Sequence, residues 1–269
     1  MAFFTDPTYL LEEQYKTPSN LTARARLHER FSTAPGSWQH WVMDHLALRP
    51  GERVLEVGGG PGWLWRENRD RLPDGVRVCF SDFSLGMVQA ARAGLGAVNG
   101  IDFANIDVQA LPLAGGVFDV VIANYMFHHV PNLPWAVGEL RRVLGAEGRL
   151  CAATFGAGHM GELNALLHDF EPSLPAPDQL AAAIRPRLEN AHEWLAPAFS
   201  RIEVFWRPDS LWVTEARPLV DYAYSMSSAA DGLARNRVEE LEDYFRSRIQ
   251  ADGGISISKA GGLVLAWAE

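Results

Sequence analysis

The pattern with the clearest chemical meaning is a glycine-rich segment, Val54-Leu55-Glu56-Val57-Gly58-Gly59-Gly60-Pro61-Gly62. Glycines at alternate positions allow a sharp turn and let a ligand approach the backbone more closely than a Cβ permits. The spacing excludes two common phosphate-binding loops, because a dinucleotide fingerprint would need glycine at Trp63 and a Walker A loop would need Gly-Lys-Ser/Thr. The segment therefore predicts a ligand-binding turn, with a purely structural strand–turn–helix loop as the alternative.

Polar residues follow the next three apolar runs, where predicted strands end. The Asp82 carboxylate, after the second run, could accept hydrogen bonds from both hydroxyls of a ribose or could cap the helix that begins near Ser84. After the third run, Asp107 or the Val108 amide could contact the edge of an adenine that carries its amino group. Asn124 ends the fourth run, at the edge where open α/β sheets bind ligands. Together these positions favour a ligand site over a structural loop.

Four motifs follow one another along the chain: Glu56-x-Gly58-x-Gly60-x-Gly62, Ser81-Asp82-Phe83-Ser84-x-x-Met87, Asp107-x-x-x-Leu111-Pro112 and Phe118-Asp119-x-Val121-Ile122-Ala123-Asn124. In this order they resemble the motifs of class I methyltransferases, which use S-adenosylmethionine. Three further segments are similar to the small-molecule branch that includes ubiquinone and menaquinone C-methyltransferases: His129-Val130-Pro131, Glu139-Leu140-x-Arg142-Val143-Leu144 and Gly148-x-Leu150. The resemblance covers residues 53–155. It departs from the family at Ala146-Glu147-Gly148, where Pro-Gly-Gly is usual, and in residues 156–269, which match no acceptor signature.

The resemblance implies S-adenosylmethionine as the cofactor. Gly58, Gly60 and Gly62 would lie under its methionine part, Asp82 at its ribose, and Asp107 with Val108 at its adenine. The predicted cofactor site also includes Tyr15, Arg24, Glu56, Phe83, Met87 and Asn124. A guanidinium such as that of Arg24 pairs well with the methionine carboxylate, with Tyr15 and His28 beside it. A surface helix without a ligand role is the alternative for these N-terminal residues.

Methyl transfer is a displacement in line with an activated leaving group, so the protein mainly aligns the reactants and excludes water. A general base is needed only if the acceptor carries a proton of high pKa. His128 and His159, after the fourth and fifth predicted strands, are the predicted catalytic residues, and Tyr125 is a further candidate. A hydrogen-bonded framework role is the alternative for each histidine, and His129 aligns with a framework position of the family.

Two rival functions share parts of this pattern. A nicotinamide-dependent oxidoreductase is disfavoured because the third glycine of its fingerprint is missing. A non-catalytic or repurposed S-adenosylmethionine-binding protein would keep residues 56–124, since methyl transfer can proceed without an obligatory side chain. The sequence pattern predicts no metal site.

Alternating apolar runs and helical stretches after Gly51 predict an α/β fold, a Rossmann-like, mostly parallel, seven-stranded sheet with helices on both faces. Predicted strands are Arg53–Val57, Val76–Ser81, Ile101–Ile106, Phe118–Ala123, Gly148–Phe155, 201–206, Ile255–Ser258 and Gly262–Trp267. Predicted helices after Gly51 include Gly62–Leu72, Ser84–Leu95, Pro134–Leu144 and His159–Phe170. Asn20 and Ser37 are predicted helix N-caps.

We expect a single domain with three parts: an N-terminal helical cap (1–50), a cofactor-binding core (51–155) and a substrate-side half (156–269) with helical inserts at 156–188 and 209–252. The inserts and the N-terminal helices (20–46) are expected to close over the cofactor and to form most of the acceptor pocket. Aromatic residues of the second half are candidates for its lining: Trp206, Trp212, Tyr222 and Tyr224.

The composition is that of an ordinary globular chain. A net charge of −9 over 269 residues argues against a nucleic-acid groove. No apolar run approaches the ~18 residues of a membrane helix, and the N-terminus lacks the features of a signal peptide. Cys79 and Cys151 lie in apolar runs and are predicted to be buried thiols. These features predict a cytoplasmic protein whose partner is a small-molecule methyl acceptor, with neither nucleic acid nor membrane, and they leave the oligomeric state open.

Overall fold

The computed structural model describes residues 5–96, 98–183, 185–226 and 233–268. Within these residues, seven strands form one sheet in the order β3-β2-β1-β4-β5-β9-β6, and β7 pairs with β8 in a separate two-stranded sheet. The strands are β1 (Arg53–Glu56), β2 (Arg77–Asp82), β3 (Ile101–Asn105), β4 (Phe118–Asn124), β5 (Leu144–Phe155), β6 (Arg201–Arg207), β7 (Ser210–Val213), β8 (Ile255–Ser258) and β9 (Gly261–Trp267). Strands β1 to β5 run parallel, and β9 lies antiparallel between β5 and β6. The predicted Rossmann-like, mostly parallel, seven-stranded sheet is confirmed.

The helices cover both faces of this sheet. They are α1 (Pro7–Tyr9), α2 (Ser19–Phe31), α3 (Trp38–Leu46), α4 (Trp63–Glu67), α5 (Leu85–Leu95), α6 (Leu133–Val143), α7 (Gly161–Phe170), α8 (Pro177–Ala183), α9 (Ala191–Leu195), α10 (Ala216–Ser225) and α11 (Val238–Asp252). A π-helical turn, Leu10–Gln14, follows α1. No helix within the described ranges is long and apolar enough to cross a membrane.

Strand β4 shows how the sequence builds two cores around one sheet. Successive side chains of a strand point to opposite faces. Val121 and Ala123 accordingly pack with α6 and α9, while Val120 and Ile122 pack with α3, α4 and α5. The apolar run 120–123 of β4 is therefore buried on both sides, which is typical of a parallel sheet.

A third core lies outside the large sheet. Helices α2, α7, α10 and α11 pack with β7 and β8 around buried side chains that include Leu27, Leu211, Phe245 and Ile257. N-terminal helix α2 thus belongs to the same packing unit as the second half of the chain. This unit covers the carboxyl edge of the large sheet.

Three predictions about local structure are wrong. Ser210–Val213 is strand β7 and not part of a helical insert, because its buried Leu211 and Val213 alternate with the exposed Trp212. Asn20 does not cap a helix, since α2 begins at Ser19 and the Asn20 amide donates to the Gln14 carbonyl. Cys79 is only partly buried, whereas Cys151 is buried as predicted.

Other local predictions are confirmed, with shifted boundaries. Ser37 caps α3 by accepting a hydrogen bond from the His40 amide. The predicted helix Gly62–Leu72 is shorter, because α4 ends at Glu67 and a 3-10 turn follows at Arg69–Arg71. Between them, the Asn68 side chain donates to the Leu64 carbonyl and so occupies an acceptor at the end of α4.

Candidate functional site

A cavity of about 960 Å³ lies at the carboxyl edge of the large sheet. The ends of β1, β2, β4 and β5 form its floor, and helices α2 and α10 form part of its roof. The predicted site residues in its wall are Tyr15, Arg24, Glu56, Gly58, Gly60, Asp82, Phe83, Met87, Asp107, Val108, Asn124, His128 and His159. One volume therefore brings together side chains that are more than a hundred residues apart in the chain.

The glycines of the turn meet different steric requirements. Gly58 and Gly60 both have φ near +60° (63° and 59°), a conformation that glycine adopts without steric cost. A Cβ on Gly60 would meet only Leu21 Cδ1, at 3.6 Å, so the space above it belongs to the cavity. A Cβ on Gly58 would lie 2.8 Å from Met126 Cβ, so this glycine also permits close packing.

Gly62 corrects the sequence prediction. It is not among the residues that line the cavity. A Cβ at this position would lie 3.1 Å from Ala91 Cβ and 3.1 Å from Leu95 Cδ1, both on α5. Gly62 therefore allows α4 and α5 to pack closely at the end of the turn, and it does not face the ligand space.

Glu56, the last residue of β1, is a buried carboxylate in the cavity wall. It accepts a hydrogen bond from the Trp65 indole, with Nε1 2.5 Å from Oε2. Burial raises the pKa of Glu56 to about 7, the Trp65 hydrogen bond opposes this shift, and the charge of Asp82 adds to it. Glu56 is thus held in one orientation and titrates near neutral pH.

Asp82, the last residue of β2, ties the glycine turn to the next helix. Its Oδ2 accepts a hydrogen bond from the Gly60 amide at 2.8 Å, and its Oδ1 accepts one from the Ser84 amide at 2.8 Å. Burial raises the pKa of Asp82 to about 6, although both hydrogen bonds act in the opposite direction. A carboxylate offers about four acceptor positions, so each oxygen can accept another hydrogen bond from a ligand in the cavity.

The remaining predicted cofactor residues lie around this carboxylate. Phe83 is 37% exposed, while Met87 and Val108 are buried and apolar. Asp107 accepts a hydrogen bond from the Gln109 amide at 2.8 Å. The Oδ1 atom of Asn124 is shielded from solvent and has no hydrogen-bond partner among the described residues.

The N-terminal segment crosses the cavity mouth and is bonded to the core. Tyr15 Oη forms a 2.7 Å hydrogen bond with Nε2 of His129. The Ser84 hydroxyl, which caps α5, donates to the Tyr15 carbonyl at 2.7 Å. The Arg24 guanidinium lies 5.8 Å from the centre of the Tyr15 ring, and its Nη2 atom is buried without a partner in the described part of the chain. Tyr15 and Arg24 therefore both line the cavity, and hydrogen bonds fix Tyr15 to the core.

Three histidines share the other end of the cavity. The His159 ring stacks on Phe155 with centroids 4.3 Å apart, and His128 lies 5.7 Å from the same phenyl ring. His28 lies 6.0 Å from His159 and 5.7 Å from Tyr222. We call the group His28, His128 and His159 the histidine cluster. His28 was expected beside the cofactor carboxylate, and no local sequence signal connects it with His159.

Each ring of the histidine cluster is neutral at physiological pH. Burial lowers the pKa of all three, to about 3 for His159. Lys259 lowers the pKa of His28 and His159 further, and His129 and Arg24 lower that of His128. Burial also raises the pKa of Tyr125, so this side chain keeps its proton. The cluster therefore offers neutral hydrogen-bonding groups and not imidazolium cations.

The second half of the chain also contributes residues to the cavity wall, beside the histidine cluster. Tyr222 lines the cavity as predicted, together with Met160, Asn164 and Met226. Trp206 and Trp212 do not line it, because both side chains lie on the protein surface. Lys259, which the sequence analysis did not single out, is also in the wall. Within the described ranges, no group of three or more His, Cys, Asp or Glu side chains is arranged to hold a metal ion.

Comparison with known proteins matches the core of the chain and much of its length. A family model described as a methyltransferase domain matches residues 55–152. A malonyl-[acyl-carrier protein] O-methyltransferase of Geobacter sulfurreducens is 30% identical over 209 residues, which are 75% of this chain and 77% of that protein. A demethylmenaquinone methyltransferase of Beutenbergia cavernae is 31% identical over 181 residues, 63% of this chain and 72% of the relative.

Solved structures share the fold at lower identity. Phosphoethanolamine N-methyltransferase 2 of Haemonchus contortus, in complex with phosphomonomethylethanolamine and S-adenosylhomocysteine, has a TM-score of 0.60 at 18% identity, over 98% of this chain and 59% of that one. A methyltransferase from Aquifex aeolicus that depends on S-adenosylmethionine has a TM-score of 0.54 at 16% identity, over 93% of this chain and 98% of that one. At these identities the likeness concerns the fold.

Proposed function

Because the chain belongs to the class I methyltransferases, which use S-adenosylmethionine, we propose that its cavity binds this cofactor at the glycine turn and a small methyl acceptor at the histidine cluster. The chain is thus an S-adenosylmethionine-dependent methyltransferase and not a nicotinamide-dependent oxidoreductase. The observation that carries the two-part assignment is the continuity of one cavity from Gly60 and Asp82 to His128 and His159.

Four features of the glycine-turn end fit S-adenosylmethionine. The space above Gly60 is open where a Cβ would project. Asp82 has acceptor positions left for ribose hydroxyls beyond its two backbone partners. Phe83, Met87 and Val108 supply apolar surface for the adenine ring, and Asp107 lies beside them. Asn124 Oδ1 is a buried acceptor without a partner in the described part of the chain, which a ligand donor would satisfy.

The remaining residues of this end would hold the amino-acid part. Glu56 carries a negative charge once ionised and lies at the end of β1, directly before the turn. Arg24 offers a buried guanidinium nitrogen that a carboxylate could pair with. Tyr15 would lie over the ligand, since its hydroxyl and carbonyl are bonded to His129 and Ser84.

The bound cofactor supplies a methyl group on a sulfonium, which needs no further activation. The chain's own residues hold the reactants in line and exclude water, and alignment of this kind lowers a barrier by up to about 7–11 kcal/mol. His128 and His159 are the side chains we propose to touch the acceptor. Because both are neutral, each can accept or donate a hydrogen bond to it, but the low pKa of His159 makes this ring a weak proton acceptor.

Calorimetric titration of the purified protein with S-adenosylhomocysteine tests the assignment. We expect one binding site per chain and no binding of NADH. A crystal structure of that complex should place the ribose at Asp82 and the sulfur toward the histidine cluster. Absence of binding, or density for the ligand outside this cavity, would contradict the proposal.

A further inference from the structure

Lys259 occupies an unusual position for a charged residue. It lies in the short turn between β8 and β9, where the chain passes from the small sheet to the large one, and it is one of the residues that line the cavity. It is one of only two lysines in a chain that has 24 Lys and Arg residues in total. A compact ammonium and a planar guanidinium recognise ligands differently, so a lysine in the wall of the acceptor end calls for a chemical explanation.

The ammonium of Lys259 has N–H donors that the described residues do not use. Its Nζ lies 2.5 Å from Asp209 Oδ2, and the two side chains are 13% and 1% exposed. Asp209 also accepts hydrogen bonds from the Ser32 hydroxyl and the Ala34 amide, so its oxygens are well occupied. A lysine ammonium has three N–H donors, and Asp209 is its only hydrogen-bond partner among the described residues. Two donors therefore remain for a ligand.

The surroundings of Lys259 favour an anion over a cation. Its charge lowers the pKa of both His28 and His159, and both rings are neutral. Arg207, whose guanidinium donates to the carbonyls of Gly36 and Ser37, also faces this ammonium. Asp209 is the acidic group that pairs with Lys259, and its oxygens are shared among Lys259, Ser32 and Ala34. At the other end of the cavity, by contrast, the charged groups of the strand ends are acidic.

We propose that Lys259 donates hydrogen bonds to an ionised oxygen of the acceptor, which is therefore a phenol, an enol or a carboxylic acid and not an amine. This inference rests on the proposed function, because it names the acceptor class of that site. The acceptor gives its proton to solvent and is bound as the anion. In the transfer, an electron pair of the anion forms the bond to the methyl carbon while the carbon–sulfur bond breaks and its pair stays on sulfur.

The test uses 4-nitrophenol, whose ionised form is distinguished by its visible absorbance. Protein loaded with S-adenosylhomocysteine should bind the phenolate, so that the bound probe ionises at lower pH than the free probe. Lys259→Met should weaken phenolate binding about tenfold or more, the scale of a lost hydrogen bond to a charged group. Benzylamine should not compete with the probe.

Lys16→Met is the matched control, because Lys16 is exposed and outside the cavity. It removes the same charge and should leave phenolate binding unchanged. If Lys259→Met does not fold because Asp209 is left unpaired, the double variant Lys259→Met/Asp209→Asn removes both charges and keeps the carbonyl acceptor. Equal phenolate affinity in wild type and in a folded Lys259 variant would overturn the proposal, as would effective competition by benzylamine.

Failure of this inference is separable from failure of the proposed function. S-adenosylhomocysteine affinity is measured by calorimetry on the same samples. If the cofactor binds and the phenolate does not, the proposed acceptor class is wrong, and the proposed cofactor site is unaffected. If the wild type does not bind the cofactor, both the proposed function and the acceptor class are wrong.

Discussion

At the glycine-turn end of the cavity the carboxylates already have hydrogen-bond partners within the protein, whereas at the histidine end several polar atoms have none. Asp82 accepts from two backbone amides and Glu56 from an indole. The Nδ1 atoms of His28, His128 and His159 are buried without a partner among the described residues. Buried polar groups are normally hydrogen-bonded. The carboxylates of the first end are therefore preorganised, whereas the Nδ1 atoms of the three rings at the second end, like Arg24 Nη2 and Asn124 Oδ1 of the first, still lack a partner among the described residues.

The two ends also differ in where their residues come from. Glu56, Gly58, Gly60, Asp82 and Met87 lie on two consecutive strand–turn–helix units. The histidine cluster and Lys259 come from α2, from the segments after β4 and β5, and from the turn after β8. In the proposed assignment, a local motif would bind the cofactor, while the acceptor site would be assembled from segments far apart in the chain. The following variants test this division.

The largest expected effect is that of Gly60→Val, which should abolish S-adenosylhomocysteine binding. The branched side chain would enter the cavity, and its backbone would have to keep a φ of 59° that disfavours Val. Gly116→Val is the control, because Gly116 has a similar φ (69°) with open space around it. The control should lose some stability and keep full cofactor affinity in calorimetry. Unchanged binding by Gly60→Val would mean that the ligand does not lie on the turn.

Asp82→Ala should weaken S-adenosylhomocysteine binding by about 1.5–3 kcal/mol, the scale of lost hydrogen bonds to a charged group. Asp102→Ala, an exposed aspartate on the neighbouring strand β3, should leave the affinity unchanged. Calorimetry on both variants measures the difference. Equal affinity of Asp82→Ala and wild type would show that Asp82 does not bind the ribose.

Trp65→Phe should shift the pH dependence of cofactor binding and change its strength only modestly. Ionised Glu56 would attract the positive charge of S-adenosylmethionine, so affinity for this cofactor should rise with pH through the Glu56 pKa of about 7. The Trp65 hydrogen bond lowers that pKa, so its loss should raise the pKa and move the increase in affinity to higher pH. Because Asp82 titrates nearby, at about 6, Glu56→Gln serves as the reference profile. The same profile in Trp65→Phe and wild type would show that the indole only fills space.

His128→Ala and His159→Ala should have the smallest effect on the cofactor, leaving S-adenosylhomocysteine affinity within about twofold, since neither ring belongs to the glycine-turn end. Both should reduce binding of 4-nitrophenolate, and turnover once an acceptor is identified. With a pKa of about 3, His159 should contribute no titration between about pH 6 and 9. Full acceptor binding and turnover in both variants would show that these histidines do not contact the acceptor.

Several features of the site and fold could be predicted because their causes are local. The continuous apolar run of β4, the Ser37 cap and the glycine turn each depend on residues within a few positions of one another. The same reasoning failed where a local pattern was ambiguous. Ser210–Val213 lies in a helix-rich stretch, yet it pairs with β8, and a glycine spacing could not show that Gly62 faces α5.

The sequence by itself determined the parallel sheet, the glycine turn and the carboxylates at the strand ends, because strand periodicity, turn geometry and chain order place them at one edge. Only the tertiary structure decided that His28, His159 and Lys259 share one pocket. Their proximity depends on α2 packing against α10 and on the turn that carries Lys259 from β8 to β9. Such contacts arise from the burial of apolar faces, which is nondirectional, so the local pattern of a segment does not show which other segment it will pack against.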